Sequence, residues 1–471
     1  TRSSGLEFAL NARETAPGGA SKDMFVDNPT AAKYGGLAVA VPGALRGYRA
    51  LLDTFGTSLE WSVLFEDAIR LARNGFPLGF FQADALKEIE HDVYTNENMR
   101  MASHVHSVPY MAHICFLKFP KHREITGVFL LPPRNVYWNP RTNSTYKEGE
   151  TLLHKDLADT LENIAKHGVD YFYKGEFAEG MIQEIQKQKG LMTTADLSSY
   201  KVVWNRTTTA RLSDGRVLHS VPPPGSGAVL AHILAIMDGY RDHATGRLAD
   251  DLLTAHRFVE SCKFAYAKRS QLGDSAFVDV TKLVDQMTSS DYADRTRKKI
   301  RDGRTFGPSY YSGLHAFRQD HGTSHLSLLD ENGDAIAVTA TINTYFGSQV
   351  VFRGVVLNNH MDDFSIPGES NAWGLSSSEP NFVRPGKRPM SSTAPSVVVD
   401  RNGDVELVLG GSGGSKITSA VAWASMRCLW QDRTIKDAID SPRVHHQWLP
   451  NEVDVEKNFS EVGVSNCSCY F

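Results

Sequence analysis

Cysteine is scarce in this chain: Cys115, Cys262, Cys428, Cys467 and Cys469 are the five among 471 residues. They are too few and too scattered for a disulfide framework, and Cys467-Ser468-Cys469 is too tight a spacing for a metal site without histidines beside it. Long apolar runs are absent as well; nothing approaches the roughly 18 residues that a membrane span requires. Neither sign of charge dominates. With 50 Lys and Arg against 54 Asp and Glu, the net charge of −4 argues against a general nucleic-acid binder. Thr1 brings neither an initiator methionine nor a signal peptide, a pattern that by itself fits a cytosolic chain. What remains is ordinary: 41% hydrophobic and 22% charged residues, enough for a sizeable core in one large domain or two to three smaller ones.

The pattern along the chain changes character near residue 323. Residues 35–175 and 225–300 are mostly helical in pattern. Thr57-Ser58-Leu59-Glu60 has the form of a capping box, predicting a helix with Trp61, Leu64, Ala68 and Leu71 on its core face and a stop at Gly75-Phe76-Pro77. Residues 250–273 predict another, with Leu252, Ala255, Val259, Cys262 and Tyr266 inward and His256 a satisfied boundary residue. Residues 222–227 read as a rigid loop ahead of a helix over 228–240. Residues 100–127 lack periodicity and read as a surface insertion. From Thr323 onward strands, hairpins and glycines take over. Asp330-Glu331-Asn332-Gly333-Asp334 predicts a hairpin with Asn-Gly in a type I′ turn, and residues 400–404 echo it. Two like hairpins suit two packed sheets.

The first hairpin carries the chemistry. It opens with His321-Gly322-Thr323-Ser324-His325-Leu326-Ser327-Leu328-Leu329. Its return strand puts Ile336, Val338, Ala340 and Ile342 on one face and Ala337, Thr339, Thr341 and Asn343 on the other. Cutting the Gly322–Thr323 bond would give Thr323 a hydroxyl nucleophile and a free α-amine to act as its base. Gly322, without a Cβ, suits a strained approach to that bond. Taken alone, Thr323 also reads as a strand-opening residue and Thr341 as a β-branched strand residue. Gly410-Gly411-Ser412-Gly413-Gly414 precedes a helix over 416–430, where unpaired amides favour negative charge. A plain turn and a phosphate loop compete with that reading. Lys416, preceded by Ser415 rather than glycine, does not complete the phosphate-loop pattern.

The Gly-Thr-x-His-Leu-Ser run at 322–327 resembles the γ-glutamyltranspeptidase family. Five further motifs follow in the family's order: residues 11–17 (Asn-Ala-Arg-Glu-Thr-Ala-Pro), 35–43, 358–364 (Asn-Asn-His-Met-Asp-Asp-Phe), 385–392 and 410–414. The resemblance implies an α+β fold, a four-layer αββα N-terminal nucleophile hydrolase sandwich with additional helices from the large chain. It implies self-cleavage at Gly322–Thr323 into a large chain 1–322 and a small chain 323–471, which remain associated. It further implies that the chain enters the family's pattern part-way and ends before the pattern does, with an unrelated tail over about 457–471.

The same resemblance assigns roles. Thr323 is the nucleophile, Thr341 hydrogen-bonds and tunes it, and the Gly413 and Gly414 amides form the oxyanion hole. Arg13, Ser391 and Ser392 hold the substrate's α-carboxylate; Asn343, His360, Asp362 and Asp363 surround its ammonium. His360 departs from the family's Glu or Gln, and a protonated imidazole would weaken glutamyl binding below about pH 6.5. A His360/Asp362/Asp363 metal site is set aside; no metal or organic cofactor is implied. The implied substrates are glutathione and other γ-glutamyl compounds, with water, amino acids or dipeptides as acceptors. An inactive member serving as a binding protein and a related amide acylase are the alternatives. Sequons at Asn143, Asn205, Asn458 and Asn466 are compatible with the implied extracellular or membrane-surface location.

Overall fold

The computed structural model describes residues 5–56, 59–91, 137–139, 141–315, 322–369 and 376–459. They form two compact units. The first comprises the described parts of Thr1–Gly56, Ile185–Ser348 and Asn358–Phe471, and the second those of Thr57–Glu184 with Gln349–Leu357.

The first unit is built from β1 (Thr208–Arg211), β2 (Val217–Ser220), α1 (Gly227–Asp238), α2 (Leu252–Arg269), β3 (Thr323–Leu329), β4 (Ala335–Thr341), β5 (Ser396–Val399), β6 (Val405–Leu409) and α3 (Ile417–Trp430). Four strands pair antiparallel in the order β6–β5–β2–β1, and β3–β4 make a separate hairpin that packs against β5 and β6. The period of two decides the layers. Leu218 and Val398 are fully buried and join α1, α2 and α3 in one core. Val397 and Val399 point to the other face, where they and the hairpin residues Ala337 and Thr339 border a cavity of about 1030 Å³. The result is the α–β–β succession of the expected sandwich. Helix α1, apolar nearly all round, is buried along almost its whole length because β1, β2, α2 and α3 all pack on it. Helix α2 starts where the Asp251 carboxylate accepts the Thr254 amide at 2.8 Å. It buries Ala255, Val259, Cys262 and Tyr266 as expected, whereas Leu252 at its first position is only half-buried, and His256 is satisfied by the Arg301 carbonyl at 2.8 Å.

In the second unit, helices Glu66–Asn74 and Lys155–His167 pack together. The short strand pair Val351–Phe352 and Val355–Val356 is anchored to helical residues of this unit. The Thr160 hydroxyl donates to the Arg353 carbonyl at 2.8 Å, and the Phe352 ring meets Phe177 edge-on at 5.2 Å.

Three local expectations are corrected. Trp61–Phe65 winds as a 3-10 helix before the α-helix begins at Glu66. Leu64 and Leu71 are 46% and 41% exposed, and the α-helix instead buries Ala72. Thr57 and Ser58 of the capping box lie outside the described residues, as do 100–127 and the tail beyond 459. The β3–β4 turn is not type I′. Only Gly333 has positive φ, +83°, and its amide donates to the Asp330 carbonyl at 3.1 Å while Asp330 donates to Asp334 at 3.0 Å. That is a three-residue loop with glycine in the left-handed position, which closes the hairpin with only one positive φ. Of the cysteines within the described residues, Cys262 is a buried free thiol and Cys428 a half-buried one.

Candidate active site

Thr323 and Thr341 stand directly opposite each other at the open end of the hairpin. In the uncut chain the Thr341 hydroxyl donates to the Gly322 carbonyl at 2.8 Å and accepts from the Asn343 amide at 2.8 Å. Thr341 thus engages the carbonyl of the bond ahead of Thr323. Gly322 has φ +85°, and a Cβ there would meet the Asn343 carbonyl oxygen at 2.7 Å and the Thr344 carbonyl carbon at 2.8 Å. Only glycine fits without displacing backbone.

The strand ends at Thr341, and Asn343 leaves it at φ +77°. Its side-chain amide donates to the Asn359 carbonyl at 3.2 Å, and the Asn359 amide donates to Ile342 at 3.2 Å. Asn358 clamps the next segment in place. It exchanges hydrogen bonds with both backbone groups of Ala40, at 3.0 and 2.9 Å, and accepts the His360 amide at 3.1 Å. These two asparagines hold the turn His360–Asp363 beside the end of β4. Asp363 forms an ion pair with Arg13, and both side chains are nearly enclosed. Arg13 also donates from Nε to Pro389 at 3.3 Å and from Nη2 to Met390 at 3.2 Å, next to the buried Ser391 and Ser392. Its own carbonyl accepts from Tyr200 at 2.8 Å and from Arg388 at 3.2 Å.

A series of contacts therefore runs from Thr323 through Thr341 and Asn343 to Asn359, whose following turn carries the Asp363 that pairs with Arg13. Arg13, Thr341 and Ser391 border the same cavity. Asp362 is buried in the turn with His360. Gly413 and Gly414 lie between β6 and α3, both at positive φ. Gly410 abuts the His325 ring so closely that a Cβ would lie 2.2 Å from it, which brings the start of this loop to the strand that Thr323 begins.

Burial sets the charges here. His360 is fully enclosed, and desolvation together with the Arg13 charge pushes its pKa well below 6.5. The expected loss of binding just below pH 6.5 through His360 is therefore corrected, because its pKa is held well below that value. The neighbouring group that titrates near neutrality is Glu14, raised to about 7 by burial against the opposing pull of Arg13. Glu14 Oε2 lies 3.1 Å from His360 Nδ1 but is not aligned as a hydrogen bond. Among the described residues, both His360 nitrogens and Asn343 Oδ1 are buried without a hydrogen-bond partner. No group of three His, Cys, Asp or Glu side chains there is arranged to hold a metal ion. Glu14, Tyr200 and Asn381 were not legible as site residues. Asn381 donates to the Asp363 carbonyl at 2.7 Å and accepts Met390 at 3.0 Å, from a segment with no motif to mark it.

Glu14 yields a stability prediction. Its folded pKa lies above its unfolded value, so the folded chain gains from holding the proton. That gain is complete below about pH 4.5 and is lost as pH rises to about 7. The loss amounts to about 3 kcal/mol at 1.36 kcal/mol per pKa unit. Glu14→Gln should therefore be no more stable than the parent at pH 4.5 and clearly more stable at pH 8. Chemical denaturation at both pH values checks this; an equal difference at the two would refute it.

The helix–sheet–hairpin succession with a threonine opening the hairpin defines an α+β hydrolase fold of the N-terminal nucleophile class. Cephalosporin acylase from Bacillus halodurans shares this fold, with a TM-score of 0.74 and 22% identity over 98% of this chain and 76% of that one. The sequence profile of Gamma-glutamyltranspeptidase matches residues 1–466. Scoloptoxin SSD14 of Scolopendra dehaani is 40% identical over 97% of this chain and 74% of its own length. The glutathione hydrolase proenzyme of Escherichia coli is 36% identical, over 97% and 73%. The chain belongs to the γ-glutamyltranspeptidase family. Among the described residues, no helix is long and apolar enough to cross a membrane.

Proposed function

We propose that this chain is a γ-glutamyl transferase and glutathione hydrolase that cuts itself between Gly322 and Thr323. The carrying observation is the 2.8 Å hydrogen bond from Thr341 to the Gly322 carbonyl, with Thr323 paired directly across from Thr341. Thr323 Oγ attacks the Gly322 carbonyl carbon, and the Thr341 hydroxyl stabilises the charge developing on its oxygen. The C–N bond breaks, the hydroxyl proton passes to the departing nitrogen, and water hydrolyses the resulting ester. Thr323 then has a free α-amine.

In turnover that amine accepts the Thr323 hydroxyl proton as Oγ attacks the γ-carbonyl of the donor. His325 has both ring nitrogens engaged, by Thr339 at 2.8 Å and Ser327 at 2.9 Å, which supports the amine as the base. The Gly413 and Gly414 amides receive the oxyanion, the leaving amine takes the proton, and a γ-glutamyl ester remains on Thr323. Water or the amine of an amino acid or dipeptide then attacks the ester. Arg13, Ser391 and Ser392 hold the donor's α-carboxylate. Asn343, His360, Asp362 and Asp363 surround its ammonium, a role supported by the unpartnered acceptors Asn343 Oδ1 and the neutral His360 ring.

Both compact units combine segments from either side of residue 323, which supports large and small chains that stay together once cut. An extracellular or membrane-surface location completes the reading. The exposed turn residue Asn143 offers a glycan site, whereas Asn205 lies half-buried in a strand.

Turnover of a γ-glutamyl anilide tests the proposal. Release of the aniline, with little release from the glutaryl anilide that lacks the α-amine, is the expected result. Faster cleavage of the glutaryl compound would support an acylase instead, and binding without turnover a non-catalytic role.

A further inference from the structure

The two serines of the 385–392 motif are held from behind by a residue that no motif marks. Arg269, the last residue of α2, is buried, and its Nη2 donates to Ser392 Oγ at 3.2 Å. Its Nε donates to Ser226 Oγ at 3.4 Å, and that hydroxyl donates to the Ser391 carbonyl at 2.6 Å. The Ser226 amide meets the Thr393 carbonyl at 2.9 Å, and Thr418 Oγ1 donates to the Ser392 carbonyl at 2.9 Å. Ser226, Ser392 and Thr418 are fully buried.

A guanidinium only donates. By filling an acceptor direction on Ser392 Oγ it leaves the serine proton to be offered elsewhere, and a hydroxyl that accepts from a cation is a stronger donor through its own O–H. Through Ser226 the same side chain also fixes the backbone that carries Ser391. We propose that Arg269 is a positioning residue for the donor's α-carboxylate: by occupying an acceptor direction on Ser392 Oγ it favours that hydroxyl as a hydrogen-bond donor toward that group and sets the preference for ligands that carry it. The inference rests on the γ-glutamyl reading above and adds to it a second cation that does not touch the ligand.

The test compares two competitive ligands that differ only in the α-carboxylate, L-glutamate and 4-aminobutyrate, against turnover of γ-glutamyl anilide. In Arg269→Met the inhibition constant of glutamate should rise about tenfold and that of 4-aminobutyrate should stay within about twofold, with KM for the anilide rising and kcat nearly unchanged. Arg269→Lys keeps the charge but not the planar fork and should give an intermediate rise for glutamate. Ser226→Ala, which removes the relay alone, guards against misfolding of the arginine variants and should also weaken glutamate selectively. Equal weakening of both ligands in all folded variants, or no change in either, overturns the inference while leaving the proposed function intact. An unmodified protein that does not turn over the anilide overturns both.

Discussion

Thr323→Ala is expected to run as one uncut chain and to lose turnover of γ-glutamyl anilide by at least about 10⁴-fold, the scale seen when a nucleophile is removed from a covalent mechanism. Two effects coincide in this variant. Without the hydroxyl nothing attacks the Gly322 carbonyl, although Thr341 still donates to it. Without the cut no α-amine exists to serve as base. Thr323→Ser keeps the hydroxyl and should still process and turn over, more slowly. The decisive comparison is processing and rate in the same samples. Full activity in an uncut Thr323→Ala protein would mean that the chemistry lies elsewhere in the molecule.

Arg13→Met is expected to lower kcat/KM for γ-glutamyl substrates by about 10² to 10³, mostly through KM. The ion pair with Asp363 is nearly enclosed, and removing one partner of such a pair leaves a buried charge at a cost of about 3–5 kcal/mol. On the proposed reading the ligand's carboxylate loses its cationic partner at the same time. Arg13→Lys retains the charge without the fork and should recover part of the loss. Steady-state kinetics on both variants, with N-terminal processing as a folding check, separates binding from chemistry. A fall confined to kcat would contradict the assigned role, since Arg13 would then act on the transition state alone.

The motif-bearing half of the proposed site could be read from the sequence because its chemistry depends on residue type at fixed spacing. Thr323 and Thr341 share a face by the period of two, and pairing across the hairpin puts them opposite each other. Gly322 could be read as a position that needs no Cβ, and its surroundings bear that out. Other features depend on burial and long-range packing. The neutrality of His360 follows from full enclosure beside Arg13, which lies 347 positions earlier, and no local pattern carries that information. Glu14 sits beside a motif arginine, yet its raised pKa comes from desolvation. Asn381 and Arg269 reach the site from segments whose local sequence looks structural. The same limit applies at residues 61–71, where the face that is covered depends on the packing of Glu66–Asn74 against Lys155–His167 rather than on local spacing.

On the proposed reading, the hairpin beginning at Thr323 is the nucleophile strand of a self-processing enzyme. N-terminal sequencing of each band from a denaturing gel of the purified protein tests it most directly. Two bands are expected, one beginning Thr323-Ser324-His325. A single uncut chain, or a cut at another bond with γ-glutamyl turnover intact, would contradict it.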